Sequence, residues 1–247
     1  MKRFLLLMCI VLSFIVPYIL ATEIPQDRVW FVTDFGAVGD GETLNTKVLQ
    51  SVIDACSNAG GGTVRFAPGT FLSGTLFLKD NVTLSLDTGA VLLGSKNKED
   101  YIPIPRTNIR EQPAFHFIDG SFLLYAENVK NVTIEGRGTI NGNGNSFWHD
   151  EMLSRHVRKP KEWRPRALIC FVLSQNIALR DVTLSDSPTY TFWSIACEDI
   201  NIHGVRIINP QKGPNTDDLI WIVAAALPYR IALLKAVMML LESCGFL

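Results

Sequence analysis

Cysteine and histidine are scarce: five and four in 247 residues, with no Cys-x-x-Cys pair and no His cluster at metal-ligand spacing. That excludes a disulfide-stapled miniprotein and gives no basis for a structural metal; no cofactor is expected either. Basic runs are missing too. The chain carries 23 Lys and Arg against 24 Asp and Glu, so it has no electrostatic footprint for nucleic acid, and no such partner is expected. With 47% hydrophobic residues, 19% charged residues and 18 glycines, the chain is neither disordered nor collagenous. It is long enough for one sizeable core.

What is present begins with a targeting pattern. Lys2-Arg3 precede an apolar run from Phe4 to Leu20, broken by Ser13 and Pro17, and Ala21 offers a small residue at the cut. Residues 1–21 read as a secretory signal; the alternative, an N-terminal membrane anchor, fits Pro17 and the shortness of the run less well. A secreted monomer with no membrane association after signal removal is expected. Cys56, Cys170, Cys197 and Cys244 then remain. Cys170 and Cys197 follow apolar stretches and read as buried thiols, with disulfide pairing left open. Two sequons, Asn81-Val82-Thr83 and Asn131-Val132-Thr133, suit a secreted surface, although Asn-Val-Thr also suits a turn entering a strand.

The body alternates. One helix is predicted over Asn45 to Ala59, where Leu44, Val48, Leu49, Val52, Ile53 and Cys56 recur at three-and-four spacing. Asn45 is the candidate cap, and Gly60-Gly61-Gly62 ends the run. After it, short segments such as Thr63–Phe66, Val82–Leu86, Val132–Ile134, Ile177–Leu179 and Val205–Ile207 put apolar residues on one face between Gly, Asn, Asp and Pro. They also resemble one another: Asn176–Leu184 aligns with Asp199–Ile207 at an offset of 23, and Asn131–Gly136 repeats the opening. A period in the low twenties predicts stacked coils, an all-β right-handed parallel β-helix whose N-terminal edge is capped by the helix. A β-sandwich would explain the strands but not the offset.

Ordered motifs carry a family resemblance. Asp34-Phe35-Gly36-Ala37-Val38-Gly39-Asp40-Gly41, then Asn45-Thr46, Gly60–Val64 and Pro68-Gly69-Thr70-Phe71 look like the entry to pectin-degrading β-helix enzymes. More specific are Gly138-Thr139-Ile140-Asn141-Gly142-Asn143-Gly144 with Phe147-Trp148, Arg164-Pro165-Arg166, Ser187-Pro188, and Pro214-Asn215-Thr216-Asp217. In this order they resemble glycoside hydrolase family 28, the polygalacturonase family, over about residues 30–217. The resemblance implies inverting hydrolysis of a pectic polysaccharide outside the cell or in the cell wall. It assigns Asp217 to water activation and Asn215 to orienting substrate or the neighbouring acid. An inverting glycosidase needs a protonated carboxyl and a carboxylate base about 6.5 to 9.5 Å apart, with room for a water.

The departures lie downstream. The family carries Gly-Asp-Asp about one coil after Asn-Thr-Asp, followed by Gly-His-Gly and Arg-Ile-Lys; none occurs in these 247 residues. Arg and Lys would pair with uronate carboxylates, so their absence bears on binding as well as chemistry. His203-Gly204 falls inside a repeated strand and reads as surface. Asp218 neighbours Asp217 and would face the opposite side of a regular strand. Trp148, Trp163, Tyr190 and Trp193 read as packing in preference to a sugar platform.

Residues 22–218 are thus expected to form a partial β-helix, followed by a tract of different texture. From Leu219 to Leu247, 23 of 29 residues are hydrophobic and no Asn, Thr or Asp occurs. A membrane segment would be interrupted by Pro228, Arg230 and Lys235; an amphipathic helix is a second account. A change of reading frame is the preferred third, because third-base back-translation of Ala236-Val237-Met238-Met239-Leu240 permits Gly-Asp-Asp-Ala, and Met238 lies 21 residues after Asp217. Three functions follow: a polygalacturonase-type hydrolase whose chain as written is inactive, a non-catalytic pectin-binding or regulatory β-helix, and a calcium-dependent pectate lyase, the weakest of the three.

Overall fold

The computed structural model describes residues 28–105 and 120–216, and the backbone of 219–222. The expected signal over 1–21, Asp217, and the tract beyond residue 222 lie outside the described residues.

Chain order builds coil on coil. Strands β1 (Val29–Phe31) and β2 (Asp40–Leu44) lead into helix α1 (Thr46–Asn58). Next come β3 (Gly62–Phe66), β4 (Gly69–Ser73) and β5 (Leu76–Phe77), then β6 (Val82–Leu86), β7 (Ala90–Gly94) and β8 (Phe122–Glu127). The third coil is β9 (Lys130–Glu135) and β10 (Thr139–Asn141), an inserted hairpin β11 (Trp148–Ser154) and β12 (Val157–Pro160), and β13 (Ala167–Val172). The last two are β14 (Gln175–Arg180), β15 (Thr183–Ser185) and β16 (Tyr190–Ile195), then β17 (Glu198–His203), β18 (Arg206–Ile208) and β19 (Leu219–Ile222). Sheet one is β1-β3-β6-β9-β14-β17, sheet two is β2-β4-β7-β10-β15-β18, and sheet three is β5-β8-β13-β16-β19. Apart from the antiparallel hairpin, the pairings between named strands are parallel. The fold is a right-handed parallel β-helix with an N-terminal capping helix, as the repeat predicts.

Register explains the repeat. Ile177 pairs with Ile200, which is the 23-residue offset. Asn131 and Asn176 also occupy adjacent coils but are 45 residues apart, because the coil between them holds residues 142–166 between sheets two and three. Corners recur on the same schedule: Gly136, Asp181 and Gly204 take left-handed backbone between sheets one and two, and Asn128, Leu173 and Ala196 do so after sheet three. Gly204 of His203-Gly204 is therefore a corner residue, and His203 is exposed on sheet one.

Inside, like stacks on like. Val64, Leu84, Ile134, Leu179 and Ile202 form one column through five coils, with the first four fully buried. Each such side chain contributes about 1.5–3 kcal/mol by leaving water. On α1, Leu49, Val52, Ile53 and Cys56 are buried and cover the first coils. Leu44, expected on the helix, is instead exposed in β2. Asn45 stands at the N-cap position without capping. Its Oδ1 accepts from Val38 N (2.8 Å), and its Nδ2 donates to Val38 O (2.9 Å) and Thr43 O (2.7 Å). The buried amide pins the Ala37-Val38-Gly39 loop, and that demand outweighs capping.

Cys56 and Cys170 are buried and Cys197 is partly buried; all three are free thiols. Burial pushes Cys56 up to about 11 and raises Cys170 and Cys197 as well. Among the described residues no helix is long and apolar enough to cross a membrane.

Candidate active site

Connections from sheet two to sheet three carry the long insertions, so chemistry-bearing loops gather along one edge of the coil stack. On that edge, glycines let successive turns close on one another. A Cβ on Gly142 would lie 2.8 Å from Asp186 O, and one on Gly144 would lie 2.5 Å from Ser187 O. This is the physical content of the Gly-Asn-Gly motif: it admits the Asp186-Ser187-Pro188 turn of the next coil. Asn145 then donates to Asp186 Oδ1 through its side-chain nitrogen at 2.9 Å and its backbone N–H at 3.3 Å. Burial raises the Asp186 carboxyl despite these bonds.

Arg164 joins this turn to the next. Its Nη1 donates to Pro188 O (3.1 Å) and Pro214 O (2.5 Å), and its Nη2 donates to Asn215 Oδ1 (3.1 Å). Burial lowers the Arg164 pKa, opposed by Tyr190 and reinforced by Arg166, while three oxygen acceptors hold the fork in place. Trp148 Nε1 also donates to Pro188 O, at 3.3 Å. A polar chain ties the same turns from below. Asn209 Oδ1 accepts from Ser187 N (3.0 Å), and its Nδ2 donates to Thr191 Oγ1 (2.8 Å) and Thr216 O (3.2 Å). Gly213 is required because a Cβ there would come within 2.6 Å of Thr216 Cγ2 and 2.8 Å of Trp148 Cη2.

The expected site residues can now be placed. Asn215 is exposed, adopts left-handed backbone at φ 57°, and has its amide oriented by Arg164. Asp217, with Asp218, lies outside the described residues. Trp148 and Trp193 are 4% and 2% exposed, and Trp163 packs edge-on to Tyr101 and Phe147; these three rings are packing. Sequence reasoning quoted Arg164 within Arg-Pro-Arg but gave it no role, and it passed over Asp186 and Asn209. Their signal was position: each sits in or beside a proline turn before sheet three.

Comparison with known proteins adds the family. The profile for Glycosyl hydrolases family 28 matches residues 115–222. A Vitis vinifera protein named "Probable polygalacturonase" is 34% identical over 196 residues, 76% of this chain and 38% of that relative. The Exo-poly-alpha-D-galacturonosidase of Dickeya chrysanthemi is 38% identical over 128 residues, 50% of this chain and 20% of the other. The solved family 28 exopolygalacturonase of Yersinia enterocolitica superposes with TM-score 0.60 at 25% identity, covering 76% of this chain and 39% of that one. The chain thus spans well under half the length of these relatives. Its three-sheet coils and the profile match agree: residues 115–222 match glycoside hydrolase family 28, and the chain is similar to polygalacturonases.

Proposed function

We propose that the protein containing these residues is an inverting glycoside hydrolase of a pectic polyuronate, secreted and monomeric. Support comes first from one observation: Arg164 fastens the Ser187-Pro188 turn to the Pro214-Asn215 turn, fixing the entry to the Asn-Thr-Asp motif. In this reading Asp217 is the base that activates water and Asn215 orients substrate. The proton for the leaving oxygen must come from a second carboxyl about 6.5 to 9.5 Å from the base.

The 247 residues hold no Gly-Asp-Asp, Gly-His-Gly or Arg-Ile-Lys, so in this reading they lack a complete acid–base pair and the family's cationic uronate contacts, and the edge that orients Asn215 is the part left to meet the polymer. Loss of general acid catalysis alone costs about 10²- to 10⁴-fold. This polypeptide is expected to release reducing ends from polygalacturonate at background while co-sedimenting with the polymer. Release above background contradicts the missing-acid account, and absence of binding contradicts the recognition account.

The tract 219–247 is, in this proposal, a frame-changed version of the next coils. Sequencing the transcript across codons 215–247 tests it. A shifted frame continuing into an acidic pair and Arg-Ile-Lys restores the hydrolase; a message encoding the tract as written removes that assignment. The second reading, a non-catalytic pectin-binding β-helix, is favoured by the same missing motifs and would then take over.

A further inference from the structure

At the entry to sheet one, successive coils place Gly61, Asn81, Asn131, Asn176 and Asp199 one above another. Gly62 pairs with Val82, and Gln175 pairs with Lys130 and Glu198. All five have left-handed backbone, with φ from 54° to 114°, a conformation asparagine tolerates better than most residues. Their amides form a ladder: Asn131 Nδ2 donates to Asn81 Oδ1 at 2.7 Å, and Asn176 Nδ2 donates to Asn131 Oδ1 at 2.8 Å. Asn81 and Asn131 are also the asparagines of the two sequons, and both are exposed.

Their positions on the ladder differ. Asn131 is an interior rung, donating on one side and accepting on the other. Asn81 is the terminal amide: its Oδ1 accepts from Asn131, and no acceptor among the described residues engages its Nδ2. The next rung is Gly61, which has no side chain; a Cβ there would lie 2.6 Å from Asn81 Cβ. No side chain therefore stands beside the Asn81 amide on the Gly61 rung, whereas a sugar on Asn131 nitrogen would press against the Asn81 side chain. Adjacent rungs are about 4.8 Å apart, closer than the breadth of an acetamido pyranose, so two glycans cannot stand side by side.

We propose that the two sequons form one modification site, in which Asn131 stays unmodified and Asn81 Nδ2 takes a single glycan from a lipid-pyrophosphate oligosaccharide. The N–C1 bond forms as the C1–O bond to pyrophosphate breaks, the lipid pyrophosphate leaves and Nδ2 gives up one proton. This rests on the secretory reading. In the folded protein the glycan projects from sheet one, away from the proline turns that precede sheet three, and leaves the ladder bonds intact.

The test expresses the full chain in a eukaryotic secretory host, with a C-terminal tag bearing one additional exposed sequon, and maps occupancy by mass spectrometry after enzymatic deglycosylation in heavy-oxygen water. The expected result is a glycan at the tag and at Asn81, with none at Asn131. The variants T83A and T133A remove each sequon while keeping both ladder amides; T83A is expected to lose the core glycan and T133A to keep it. A core glycan retained in T83A, double occupancy of Asn81 and Asn131, or a glycosylated tag with an empty Asn81 overturns the proposal. An unmodified tag shows that the chain did not enter the pathway, and overturns the secretory reading together with the site.

Discussion

Arg164 makes three side-chain hydrogen bonds to two consecutive coils, and two of its acceptors are main-chain carbonyls of buried prolines, Pro188 and Pro214. Removing the donor takes the Arg164 bond from Pro214 O and leaves Pro188 O with the longer bond from Trp148 Nε1. R164Q is expected to destabilise by about 2 kcal/mol and R164K by less, because an ammonium reaches one carbonyl but cannot reproduce the fork. Denaturant midpoints of the two variants check this ordering; equal midpoints would reduce the clamp to a surface contact. Burial also makes the described cysteines poor nucleophiles. With Cys56 held up at about 11 and Cys170 and Cys197 raised as well, native protein at pH 8 is expected to leave all three unalkylated by iodoacetamide. Their peptides should label fully after denaturation, as read by peptide mass mapping.

At the scale of elements, the columns inside the coil carry the stability. Leu84 is fully buried between Val64 and Ile134, so L84A is expected to cost about 2–5 kcal/mol. Leu153, 65% exposed on the hairpin, should tolerate alanine within about 0.5 kcal/mol. Urea unfolding of the two variants gives the comparison. The same contrast explains what the residues disclosed beforehand. Helix α1 was legible because one face must be buried and its apolar spacing has no other use. The coils were legible because Asn176–Leu184 and Asp199–Ile207 differ by a single uninterrupted turn. Residues 142–166 hid the earlier register: β11 is exposed beyond Trp148, so nothing obliges its side chains to alternate. Asn45 misled for a related reason, since its buried amide answers to the Val38 loop and the helix end goes without a side-chain cap. Arg164 was visible as a motif, but its acceptors lie in the next two coils, brought to it only by stacking.

For the whole molecule, burial of ionisable groups sets an alkaline limit. The Cys56 thiol is raised from 9.0 to about 11, and burial also raises the phenols of Tyr101 and Tyr125. A raised pKa means that the folded state holds its proton longer than the unfolded chain. That stability is present in full below pH 9 and is lost as pH climbs toward 11. The thermal midpoint is therefore expected to fall between pH 9 and pH 11, with little pH dependence from these groups at pH 6 to 8; a flat profile across the alkaline window would contradict their burial. The molecule's chemistry is set at the same scale. The described coils supply a fixed edge of proline turns and an oriented Asn215, while Gly-Asp-Asp, Gly-His-Gly and Arg-Ile-Lys do not occur in these 247 residues. The most direct measurement is reducing-end release from polygalacturonate by the folded 247-residue polypeptide, with polymer co-sedimentation followed in the same samples. The account predicts binding with release indistinguishable from buffer; multiple turnovers, with the anomeric configuration inverted, would contradict it.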